Sequence, residues 1–181
     1  FAELGKMLGM SKAGIFKYYK NKQELFIAVV DRFWFSTQNP RNKFMETNGT
    51  FAEFIDEYVR GVQRTMDMLG NLIGADREKV AQGKFTYHAQ YFHFLFQLLQ
   101  YDPDAKEKLR NLVEVDYAYW RAAIQRAIAT GELREDVDVE DAVVMFRQVY
   151  MGLSFEMSFL GGLNTEKLSK HLHAVYSLLK R

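Results

Sequence analysis

FAELGKMLGMSKAGIFKYYK, residues Phe1 to Lys20, opens the chain with two short helix-forming runs on either side of a glycine. Two helices that cross steeply over a tight turn demand particular side-chain sizes at fixed positions. Leu4, Leu8, Met10, Ile15 and Tyr18 supply apolar contacts between the runs. Gly5 stands where the second helix passes too closely for a larger side chain, and Gly9 can take the left-handed conformation that the turn needs. Ser11 is placed to cap the second helix by accepting an amide proton that the helix leaves unpaired. The pattern predicts a helix-turn-helix, with one helix from Phe1 to about Leu8 and another from about Ser11 to Tyr19.

Charge separates along the chain in the same sense. The 181 residues carry a formal net charge of +1, yet Lys6, Lys12, Lys17, Lys20 and Lys22 stand against Glu3 alone in the first 22 positions. The remainder is therefore net acidic, and the positive field sits at one end, where it favours a polyanionic partner.

Beyond this head the periodic segments read as helices, and the fold class is all-α. Asn21 with Glu24 forms a capping-box pattern for a connecting helix to about Phe35, and Pro40 lies in the following break. Thr50 with Glu53 repeats the pattern for a helix to about Leu69, and a shorter helix is expected over Ala75 to Gln82. From Phe85 to Gln100 apolar residues fall on both sides of the helical wheel, which predicts a central helix. Asp102 and Pro103 read as cap and first turn of a long helix to Thr130. Asp138 caps the next, to about Leu160, and Asn164 or Thr165 caps the last, to about Lys180. The reading divides the chain into a head, residues 1–35, and a helical body, residues 36–181.

Composition removes several classes of function. Hydrophobic residues make up 48% of the chain and charged residues 26%, enough to bury a sizeable core. The chain has no cysteine, so disulfide scaffolds, thiolate zinc sites and thiol catalysis are excluded, and a reducing cytoplasm is the expected compartment. No apolar run approaches the roughly 20 residues of a membrane helix. Nucleophile elbows, phosphate-binding glycine loops and dinucleotide fingerprints are missing, so no enzyme and no cofactor is expected. Metal binding is not expected either, since His88 and His93 lie about 140° apart on a helix and His171 and His173 diverge similarly. A chain that opens on Phe1 rather than methionine is expected to have lost its true start.

The run from Leu8 to Phe26, LGMSKAGIFKYYKNKQELF, resembles the signature of the tetracycline-repressor (TetR) family of transcription regulators. It has the glycine turn, the serine-lysine pair, the aromatic pair near the helix end, and then asparagine, lysine, glutamate and leucine. Ala127 to Val137 is similar to the segment that often precedes the last two helices of that family. Two departures stand out: Phe16 and Tyr19 interchange the family's usual tyrosine and phenylalanine, and the family's first helix is absent. The resemblance implies a DNA-binding repressor on a palindromic operator, with Lys12, Ala13 and Gly14 nearest base edges and Phe16 and Tyr18 facing the backbone or a thymine methyl. Ser11 and Lys17 complete the expected reading surface. Lys22 joins them on physical grounds, because a lysine in a helix's first turn opposes the dipole unless a phosphate shares that terminus.

For the body, a homodimer and a small apolar or aromatic effector are the expected partners. Phe85, His88, Tyr91, Phe92, Tyr117, Trp120 and Gln148 are the expected effector residues, with Gln90 and His93 as further polar anchors. The dimer interface is expected on the last two helices through Phe146, Val149, Tyr150, Leu153, Met157, Leu172 and Val175, with Gly152 and Ser154 allowing close approach. The alternative reading is a helical ligand-binding or scaffolding protein without DNA binding.

Overall fold

A computed structural model of the chain describes residues 2–44, 49–72 and 87–181, and of residues 71–72 and 87–90 the backbone alone. Among the described residues the regular structure is helical, apart from one isolated bridge between Leu133 and Lys180. The head holds α1 (Ala2–Leu8) and α2 (Lys12–Phe16), shorter than the expected span to Tyr19. The connecting helix α3 (Lys22–Val29) runs on through a π-helical turn (Val30–Trp34) into α4 (Phe35–Thr37). The body then comprises α5 (Phe51–Leu72), α6 (Tyr87–Tyr101), α7 (Ala105–Ala129), α8 (Val139–Ser158) and α9 (Thr165–Leu179). The helix expected over Ala75 to Gln82 lies outside the described residues.

Several helix ends follow from side chains that replace missing backbone partners. Thr50 and Glu53 form the reciprocal box: Glu53 N–H donates to Thr50 Oγ1 at 3.2 Å and Thr50 N–H donates to Glu53 Oε2 at 2.8 Å. Asp138 and Asn164 cap α8 and α9 as their sequence positions predict, accepting from Asp141 N and Lys167 N. The start of α7 is different. Its cap is Asp104, while Asp102 and Pro103 lie in the preceding turn, where Asp102 Oδ1 accepts from Asp104 N at 2.9 Å. Glu132 accepts from Phe51 N, Ala52 N and Tyr176 Oη, so a carboxylate from the α7–α8 connection closes the N-terminus of α5 and ties it to α9.

One stripe of α5, Phe51, Phe54, Ile55, Tyr58 and Val62, is almost wholly buried. It packs where α7 brings Trp120 and α8 brings Phe146. Trp120 has no exposed surface; its ring stacks on Phe146 at 4.9 Å and meets Phe54 and Tyr58 edge-on at 5.1 and 4.8 Å. A second, smaller cluster joins Val30 and Trp34 of the connecting segment to Leu98 of α6 and Ala105 of α7. Val30 and Trp34 thus anchor the connecting segment to the body, while Val29, Asp31, Arg32 and Phe33 beside them stay exposed.

Three expectations fail on burial. Phe146 and Leu172 are fully buried in their own subunit's core, so neither can form a contact between subunits. Trp120 is sealed in the same core and cannot line an effector site. The third is α6, which is not central: Leu98 and Phe92 are buried, but Phe96 and Leu99 are exposed. A broad apolar arc in sequence did not distinguish a side facing the core from a side left open. Among the described residues no helix is long and apolar enough to cross a membrane.

Candidate nucleic-acid interface and body cavity

The head is built on close approach at its turn. A Cβ on Gly5 would stand 2.5 Å from the Met10 carbonyl oxygen, so the neighbour that demands glycine is the turn itself rather than the second helix. Gly9 has φ of +64°, and Met10 N–H donates to Gly5 O at 2.9 Å, which closes α1 in the Schellman manner. Ser11 Oγ accepts from Gly14 N at 3.0 Å and caps α2. Asn21 Oδ1 accepts from Glu24 N, but Glu24 returns its bond to Lys20 N rather than to Asn21, one residue earlier than a capping box places it. Gly5→Ala is expected to displace the turn at a cost of about 1–3 kcal/mol, partly offset by better helix propensity. Hydrogen exchange of α1 and α2 amides should then speed up by about tenfold, with body amides unchanged; equal protection in both variants would refute the close approach.

Of the expected contacts within the head, Ile15 is buried and Leu4 half-buried. Leu8, Met10 and Tyr18 are exposed, so they do not hold the two helices together. Lys12, Ala13, Phe16, Lys17, Tyr18 and Lys22 all reach solvent, and Gly14 is half-buried. Lys12, Phe16, Lys20 and Lys22 share the wall of one open concavity of about 480 Å³, in which Lys12 Nζ lies 5.8 Å from the Phe16 ring centre. Lys20 was not singled out in the sequence, although its place in the local run of lysines was the available signal.

The connecting segment is pinned to the body. Lys108 of α7 bonds Asp31 at 2.7 Å and the buried Asp102 at 3.0 Å. Burial works against the ammonium, but these two carboxylates outweigh it and hold Lys108 above the usual lysine range. Gln23 Nε2 donates to Tyr101 O at 2.6 Å, and Trp34 stacks on Tyr91 at 5.9 Å.

Tyr91 also lines a small cavity of about 30 Å³ between α5, α6 and α8, beside Gln38, Met66, Leu69, Tyr150 and Ser154. Next to it, Arg147 pairs with Asp116 at 2.6 Å, both largely buried. Burial, and after it the Asp116 charge, pushes the Tyr58 hydroxyl well up; burial, then Tyr150, does the same to Tyr91. Both phenols remain protonated donors at neutral pH. Arg147 is opposed by burial but held charged by Asp116.

Residues 78–155 match the family described as tetracyclin repressor-like, C-terminal domain. The crystal structure of a Rhodococcus sp. protein assigned to the TetR-family transcriptional regulators superposes on 98% of this chain and 86% of its own, with a TM-score of 0.63 and 16% identity. The chain thus shares the fold of that regulator, and its residues 78–155 are similar to the C-terminal domain of tetracyclin repressor-like proteins. No curated protein matches the sequence.

In the body the expected effector residues scatter. Tyr91 lines the cavity; Phe92 packs edge-on against Phe155 of α8; Tyr117 is half-buried against the main core. Gln148 is exposed on the outer side of α8, and His93 is an exposed residue bonded to Gln97. Phe85 and the side chains of His88 and Gln90 lie outside the described residues. Ser154, expected at a helix approach between subunits, is buried and faces the cavity instead. Gly152 does face open space. Sequence reasoning missed Arg147, Asp116, Gln38 and Lys43. A signal existed for the first two, since each interrupts the apolar stripe that carries Phe146 or Trp120.

Proposed function

We propose that the chain is a DNA-binding transcription regulator, a repressor acting as a homodimer whose two heads enter successive major grooves. The observation that carries this reading is the exposed concavity of the head, where Lys12, Lys20 and Lys22 share one wall beside the capped helix α2. Three ammonium groups on one side of a small module fit the phosphates of a duplex, and the short residues Ala13 and Gly14 leave room for the groove floor. Residues 1–35 act as the reader and 36–181 as the body, with Val30 and Trp34 anchoring the join.

The proposed subunit contact runs along the outer stripes of α8 and α9. Val144, Phe155, Phe159 and Leu178 are exposed there, and Gly152 leaves space for a neighbouring backbone. Val149, Tyr150, Leu153 and Val175 pack against their own core and offer at most an edge to a partner.

An apolar or aromatic effector is proposed to enter beside Tyr91 and lower DNA affinity. The cavity now has room for a water-sized group, so an effector must widen it against the flexible side chains of Met66 and Leu69. Its effect would reach the head through Trp34 and Gln38, which place the connecting segment against and beside that cavity.

Fluorescence anisotropy of labelled duplex DNA, titrated with the protein from low to high salt, tests the reading. Lys22→Ala should weaken binding to every sequence and flatten the salt slope by about one phosphate contact. Lys12→Ala should relax base preference instead. Affinity that is absent at low salt, or that does not change with salt, favours a helical ligand-binding or scaffolding protein.

A further inference from the structure

We propose that the effector of this body is an anion: an aromatic or aliphatic carboxylate whose charged group docks beside Lys43 and Arg147. The inference rests on the reading that the body holds an effector, and it adds the chemical class.

Lys43 is only 7% exposed, although lysine is among the side chains most rarely buried. Its burial is built in: Gly61 of α5 stands so close to the Lys43 backbone that any side chain on residue 61 would collide with it. The Lys43 ammonium lies 5.1 Å from the centre of the Tyr150 ring, and the Arg147 guanidinium lies 5.6 Å from the same ring. Two cations thus share one aromatic ring at the edge of the cavity that Tyr150 lines. Asp116 is the partner of Arg147, and among the described residues no carboxylate pairs with Lys43. Among the described residues the site therefore holds one cation more than it pairs with a carboxylate, which favours an anionic partner.

Hydrogen-bonding capacity is unbalanced in the same direction. Among the described residues, Arg147 Nη1 and the hydroxyl of Tyr58 are buried without a hydrogen-bonded partner, and the unpartnered carboxylate oxygen beside them is Asp116 Oδ1. Tyr58 is 1% exposed. A carboxylate accepts only, at about four lone-pair positions, and forms its strongest bonds with charged donors. Water entering the cavity would satisfy donors but leave the charge uncompensated. The rest of the wall, with Val62, Met66 and Leu69, is apolar and suits the carbon frame of such an acid.

The test uses the full chain with benzoate, 2-naphthoate and octanoate, each beside its neutral amide, read by calorimetric titration and thermal shift. Release of labelled duplex DNA is followed in the same samples. At least one carboxylate should bind about tenfold or more tightly than its amide. Lys43→Met should abolish that preference without lowering the melting temperature of the free protein, since it removes an unpaired charge. Arg147→Ala is less useful, because it strands Asp116 and threatens the fold. If an amide matches its acid, or the acid binds Lys43→Met unchanged, the anionic class is wrong. If no carboxylate binds up to about 10 mM, roughly the weakest specific association of interest, the proposal is also overturned. A neutral amide that binds and releases DNA would leave the effector reading standing while refuting its charge. A carboxylate that needs Lys43 but leaves DNA affinity unaltered would support the anion site and refute the regulatory reading.

Discussion

Trp120→Ala is expected to lower the stability of the protein by about 3–5 kcal/mol, the cost typical of deleting a large buried ring. Its side chain contacts residues from α5 and α8 at once: the Phe146 ring stacks on it at 4.9 Å, and Phe54 and Tyr58 meet its plane edge-on. None of these neighbours can collapse into the vacated space without leaving its own partners, so most of the cavity would remain. Chemical denaturation should show a lower midpoint with the slope retained. Binding of a body ligand, measured where the variant is still folded, should change little, because Trp120 does not line the cavity. A loss below about 1 kcal/mol would mean that the aromatic core is looser than its ring geometry indicates.

Phe155→Glu with Phe159→Glu is expected to convert the protein to a monomer and to weaken operator binding by about a hundredfold or more, the usual loss when two linked heads become independent. Phe155 lies in the last turn of α8 and Phe159 caps its C-terminus, with 5.1 Å between ring centres, and 46% and 71% of their surfaces are exposed. Phe159 gives the isolated subunit little stability, and Phe155 keeps about half of its surface open although it meets Phe92 edge-on, so charging both should cost the subunit modestly while making an apolar interface untenable. Sedimentation at micromolar concentration and the salt-dependent DNA titration read the two effects together. A double variant that stays dimeric would place the subunit contact elsewhere. One that is monomeric with undiminished operator affinity would remove the requirement for half-sites about 34–36 Å apart.

The features legible in the sequence are those determined within a few residues. Gly9 and the cap of Ser11 follow from local backbone needs, as do Thr50 with Glu53, Asp138 and Asn164, and each is found in its expected role. The two helices of the head and the turn between them were readable for the same reason, because their constraints lie close together along the chain. The start of α7 was misread even so. Asp102, Pro103 and Asp104 are all plausible starters, and their choice depends on Asp102 being buried beneath Lys108.

What the tertiary structure alone decided is which side of each amphipathic helix meets its own subunit. On α8 the apolar residues nearly encircle the helix, so sequence periodicity could not tell Phe146, which stacks in the core, from Phe155 and Phe159, which face outward. Leu172 was assigned to the wrong side for the same reason. The cavity lay still further out of reach, since Gln38, Met66, Tyr91 and Ser154 come from four separate segments and share no spacing in the chain. The pairing of Arg147 with Asp116 and the burial of Lys43 against Gly61 have the same origin. Caps and turns are satisfied by neighbours in the chain and can be read one at a time. Burial and charge balance are sums over every element that packs around a point, and they take a value only once the helices have been assembled.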